Sequence, residues 1–113
     1  MANSFINKKV DLTTTDNTTL YTVPDANTAV IKSLLVSEDA GSGTTITVTL
    51  TDSSSNVFSL FKTKTISGNT TTELLTQPLV MEEKEILKVQ AGEANELHVI
   101  ASILQIQPRE VTT

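Results

Sequence analysis

The stretch Thr44–Thr51, TTITVTLT, puts Ile46, Val48 and Leu50 on one side of an extended chain and Thr45, Thr47, Thr49 and Thr51 on the other. Strict alternation of this kind marks a strand with one face on a core and the other toward water. Threonine suits that state, because its β-branch stiffens χ1 and fits a pleated surface. The residue recurs in TTT, NTT and NTTTE along the chain, so strands are predicted throughout. The hydroxyl row that includes Thr47 and Thr49 is expected to face water.

Strands are predicted at Ile6–Thr13, Thr18–Val23, Thr28–Ser37, Thr44–Thr51, Val57–Thr63, Thr71–Thr76, Ile86–Ala91 and Glu96–Ile106, with a short extended piece at Leu79–Met81. Turn signals separate them: PDAN, EDAGSG, DSSSN, SGN and GEAN. The segment VMEEKEILKVQA holds helix-forming residues but has no 3.6-residue apolar stripe and no cap. The prediction is an all-β fold, a compact antiparallel β-sandwich of jelly-roll type with about eight short strands. A chain of 113 residues makes one domain of common size, able to bury roughly two thirds of its unfolded surface. The expected layout is an N-terminal arm at 1–5, the sandwich at 6–107 and a C-terminal tail at 108–113.

Two strands are apolar on both sides. In AVIKSLLVS, simple alternation puts Ala29, Ile31, Ser33 and Leu35 on one face and Val30, Lys32, Leu34 and Val36 on the other. In ELHVIASILQI, Leu97, Val99, Ala101 and Ile103 oppose Ile100, Leu104 and Ile106. A strand in a small sandwich normally wets one face, so something must cover the second. Loops or terminal segments of the same chain would serve, and so would another subunit. The interface candidates are Phe5, Ile6, Leu34, Val36, Ile100, Leu104 and Ile106, with the arm expected to carry Phe5 to a neighbour as a plug.

Composition argues against most chemistry. The net charge of −5 repels nucleic acid and anionic membranes, and no Lys/Arg cluster offsets it. No apolar run is long enough to span a bilayer, and MANSFINKK lacks the h-region of a signal peptide. Without cysteine there is no disulfide, thiolate metal site or thiol nucleophile. The aromatics are Phe5, Tyr21, Phe58 and Phe61, too few for a base- or sugar-stacking platform. The single histidine, His98, lies among apolar residues and reads as a core or interface residue. Glu82, Glu83 and Glu85 surround Lys84 in an expected solvated turn, and the loops at Glu38–Asp39 and Asp52–Asn56 lack the spacing of a calcium loop. AGSG lacks the lysine of a phosphate-binding loop. No catalytic, cofactor-binding or metal-binding residue is assigned, and no small-molecule substrate is expected.

The stretch LYTVPDANTAVIKSLLVSEDAGSGTTITVTLTD, with the later PLVMEEKEILKVQAGEANELHVIASILQI, resembles small virion structural proteins of tailed bacteriophages, particularly those of marine and cyanobacterial phages. The likeness runs from about Leu20 to Ile106 and departs from the family pattern at Glu38–Asp39 and Glu83–Lys84. It implies a non-enzymatic β-sandwich subunit of the virion, assembled in the host cytoplasm. Its partners would be other copies of itself and other virion proteins, either the major capsid protein or neck and tail proteins. A capsid decoration or cement protein that clamps neighbouring subunits is the first expectation. A neck or tail component, or a receptor- or carbohydrate-binding sandwich, are the alternatives.

Overall fold

Among the described residues nine strands follow one another: β1 (Asn3–Leu12), β2 (Thr18–Thr22), β3 (Thr28–Glu38), β4 (Thr44–Thr51), β5 (Val57–Ile66), β6 (Thr70–Glu73), β7 (Leu79–Met81), β8 (Ile86–Ala91) and β9 (Leu97–Ile106). They come from a computed structural model in which residues 3–107 are described. Among those residues there is no helix. The predicted ranges at Thr44–Thr51, Leu79–Met81 and Ile86–Ala91 match to the residue.

The pairing is nested. β1 pairs β9, β2 pairs β8, β3 pairs β6 and β7, and β4 pairs β5, all antiparallel. The chain is therefore one long ribbon folded back at the β4–β5 hairpin. Winding the ribbon adds β9 to β3 and β8 to β4, which gives one sheet in the order β1-β9-β3-β6, with β7 also on β3, and a second in the order β2-β8-β4-β5. This is the jelly-roll arrangement. β6 and β7 pair with opposite ends of β3 and share one edge position, so nine elements fill eight strand places. The break between them holds Pro78, which has no N–H for a ladder.

β3 carries a bulge opposite that break. Its register on β9 shifts between Ile31 and Ser33. The extra residue, Lys32, reverses the phase of the strand. Ala29 and Ile31 point into the core before the bulge, and Leu34, Val36 and Glu38 do so after it. Simple alternation fails here: Leu34 and Val36 are fully buried between the sheets, not on an outer face. Near the bulge, the Glu73 carboxylate accepts the Leu34 N–H (2.7 Å), the Leu75 N–H (3.2 Å) and the Ser33 hydroxyl. Burial raises the Glu73 pKa, but these three donors outweigh it and hold the group below its ordinary range.

The core lies between the sheets. Ile46, Val48, Leu87 and Val89 from one sheet meet Ile31, Leu34, Val36, Val99 and Ile103 from the other, all almost fully buried. One polar contact crosses it: the Tyr21 hydroxyl donates to Gln105 Oε1 at 2.7 Å. The expected water-facing threonine row is half-buried instead. Thr47 Oγ1 accepts the Thr63 N–H at 3.0 Å, and Thr49 Oγ1 is buried with no partner.

The boundary expected after residue 5 is not where the strand begins. Asn3, Ser4 and Phe5 already pair with Ile106, Gln105 and Leu104 of the same chain. Residues 1–2, and the tail expected at 108–113, lie outside the described residues.

Candidate interface on the outer face of the first sheet

Residues directly opposite one another on paired strands share a face of the sheet. Phe5 on β1 is opposite Leu104 on β9, Leu104 is opposite Val30 on β3, and Val30 is opposite Val80 on β7. One unbroken apolar row therefore crosses four strands, about 14 Å from its first Cα to its last at normal strand spacing. It points away from the core. Phe5 is 80% exposed and Val80 59%, while Val30 and Leu104 between them are half-buried.

The neighbouring positions grade from apolar to charged along the strands. On the chain-terminal side, Ile106 lies between Asn3 and Thr28. On the other side comes a polar row, Asn7, Ser102 and Ser33. Beyond it Ile100, 41% exposed, stands between Lys9 and Leu35. The last row holds Asp11, His98, Ser37 and Thr71.

His98 sits between two aspartates, with Nδ1 3.5 Å from Asp11 Oδ1 and Nε2 3.1 Å from Asp39 Oδ2. Both ring nitrogens thus face carboxylates.

Of the residues picked from sequence, Phe5, Ile100, Leu104 and Ile106 come together on this face. Ile6 points inward opposite Ile103 and packs against the core. Leu34 and Val36 are core residues, as the bulge dictates. Sequence reasoning missed Val30 and Val80. Val30 was grouped with Leu34 and Val36 by the alternation that the bulge breaks. Val80 belongs to a strand of three residues, too short to show a period.

Acidic loop residues have local structural partners. The Asp52 carboxylate accepts the N–H groups of Ser54 and Asn56, both at 2.9 Å, as an Asx-type turn anchor. Glu83 Oε2 accepts the Ala26 N–H at 2.6 Å and pins the β2–β3 turn. A separate apolar groove of about 370 Å³ opens at the side of the sandwich, lined by Leu60, Phe61, Leu74, Leu75, Pro78 and Leu79.

No protein-family model matches the chain, and no curated protein matches it. Among solved structures, the chain is similar to a pentameric capsid protein isolated from metagenomic phage sequences. The TM-score is 0.42 and the identity 20%, over 91% of this chain and 59% of that one. This chain thus spans about three fifths of the length of the solved protein it matches.

Proposed function

We propose that the chain is a non-enzymatic virion structural protein, a capsid decoration or cement protein that clamps neighbouring subunits through the outer face of its first sheet. The observation that carries this reading is the row Phe5–Leu104–Val30–Val80 on an open sheet face. Apolar surface costs about 25 cal/mol per Å² to leave in water, and a contiguous exposed patch marks an interaction site. Strands β1, β9, β3, β6 and β7 together offer a face of about 600 Å² at standard spacings, close to the ~800 Å² per partner of a stable interface. The sequence likeness to phage virion proteins supports the same reading. A subunit repeated by symmetry can hold a shell through many modest contacts of this size. The test is a density map of purified particles of the encoding phage, with this chain placed. The reading requires the chain on the head surface, with the Phe5 face against another subunit. A chain absent from particles, or seated with that face in solvent, overturns it.

A further inference from the structure

Row by row, the outer face of the first sheet complements itself. Its strand positions are β1, β9, β3 and the edge shared by β7 and β6. In the apolar row they carry Phe5, Leu104, Val30 and Val80. Beyond the polar row they carry Lys9, Ile100, Leu35 and Glu73, a cation at one margin and an anion at the other. Lys9 and Glu73 stand three strand spacings apart, about 14 Å, with Ile100 and Leu35 between them. Among the described residues the ion pairs are those of His98, so neither Lys9 nor Glu73 has a counter-charge. Lys9 Nζ donates to the Asn7 amide oxygen at 3.3 Å, and the Glu73 carboxylate accepts from the Ser33 hydroxyl and two backbone N–H groups.

We infer that this face pairs with the same face of a second copy of the chain, about a two-fold axis running along the strands between β9 and β3. The inference rests on the reading of this face as a subunit interface, and it names the subunit. Such an axis exchanges outer strand for outer strand and inner for inner, and leaves every row facing itself. Phe5 then lies over Val80 of the second copy, and Leu104 over its Val30. Lys9 lies over the copy's Glu73, and Ile100 over its Leu35. In the polar row Ser102 faces Ser33, and in the last row Asp11 faces the Thr71 hydroxyl. Lys32, from the bulge, flanks the polar row beside Asn7 and Ser102, where amide and hydroxyl oxygens accept from its ammonium group.

A two-fold axis across the strands does worse. Centred on the polar row, it sets Val80 over Glu73 and Phe5 over Lys9, and so presses charge onto apolar surface. Centred on the apolar row, it leaves the Lys9–Glu73 row with no facing strand row among the described residues. The axis along the strands is the one that joins apolar to apolar and cation to anion together. The two Lys9–Glu73 pairs lie at exposed margins, so they fix orientation more than strength. Strength comes from the doubled apolar row. Two faces of about 600 Å² bury about 1,200 Å² together, the lower limit for a specific interface, so pairing depends on concentration.

Sedimentation equilibrium of the full chain tests the pairing, and should show monomer and dimer in a concentration-dependent balance. Lys9→Glu sets like charges against Glu73 at two places and should raise the dissociation constant about tenfold, a gap that high salt narrows. Cross-linking reads the geometry, since the chain has no cysteine of its own. Phe5→Cys chains mixed with Val80→Cys chains should be joined by a short bis-maleimide. Phe5→Cys chains alone should not, because the two Phe5 positions of a pair lie more than about 14 Å apart. Both substituted positions are exposed, so the fold is kept. A chain that stays monomeric, a Lys9→Glu variant that pairs as tightly as the natural chain, or Phe5→Cys chains that join to one another overturn the inference. A monomer whose Phe5 face is seated on a different virion protein in the particle map overturns the pairing and leaves the proposed function standing. A dimer that is absent from particles does the reverse.

Discussion

Thr49 shows how a favourable residue for a strand can be a poor fit for its place. Its β-branch supports the extended backbone, yet its hydroxyl is buried without a partner. A buried hydroxyl left unpaired carries a desolvation cost, while a methyl of the same shape does not. Thr49→Val should therefore raise stability by about 1 kcal/mol in denaturant unfolding; a loss would mean the hydroxyl has a partner after all. Lys84 is strained in a different way. It sits in the left-handed region with φ 67°, in the β7–β8 turn, where its N–H donates to the Val23 carbonyl at 2.9 Å. Glycine adopts that backbone without the Cβ clash and keeps the N–H. Lys84→Gly should stabilise by about 1 kcal/mol in thermal or denaturant unfolding. No sequence pattern announces Thr49 as different from Thr47. Their alternation is identical, and only the packing around them differs.

The bulge in β3 decides which residues are core and which are surface. Leu34 and Leu35 are adjacent, chemically identical, and on opposite faces. An aspartate at 34 would be a buried charge without a partner, and the chain should lose several kcal/mol and fail to fold. The same change at Leu35, half-buried on the outer face, should cost about 1 kcal/mol or less and leave the circular dichroism spectrum unchanged. Equal effects at the two positions would remove the phase change. This is also where sequence legibility ends. The β4 strand was readable to the residue because Ile46, Val48 and Leu50 keep a strict period and polar turns close both ends. AVIKSLLVS has apolar residues at adjacent positions on either side of Lys32–Ser33, so both phases put apolar side chains on each face and a one-residue slip is not visible in the pattern. What betrays the slip is pairing with β9, which lies far along the chain and cannot be seen locally. β1 was placed three residues late for a similar reason. Asn3 and Ser4 carry no strand signal of their own and are extended because Ile106 and Gln105 lie opposite.

At the scale of the whole molecule, the jelly roll answers why two strands are apolar on both sides. β3 and β9 are the inner strands of the first sheet, with one face on the second sheet and the other open. Their open face gathers Phe5 from one edge and Val80 from the other into a single row, with charged residues at the far end. The fold class could be read from the even spacing of short strands and turns. The row could not, because its members come from four strands and their alignment depends on the register of every pair. The central claim is that this face binds another subunit of a particle. The most direct measurement mixes the natural chain with the double variant Phe5→Ser/Val80→Ser at limiting total amount and reads by mass spectrometry the ratio taken up by particles. Both positions are exposed, so the variant should fold as the natural chain does. The account predicts that particles take up the natural chain at least about tenfold in preference, the effect of roughly 1.4 kcal/mol of lost apolar contact. Uptake of the two chains in the ratio supplied would contradict it.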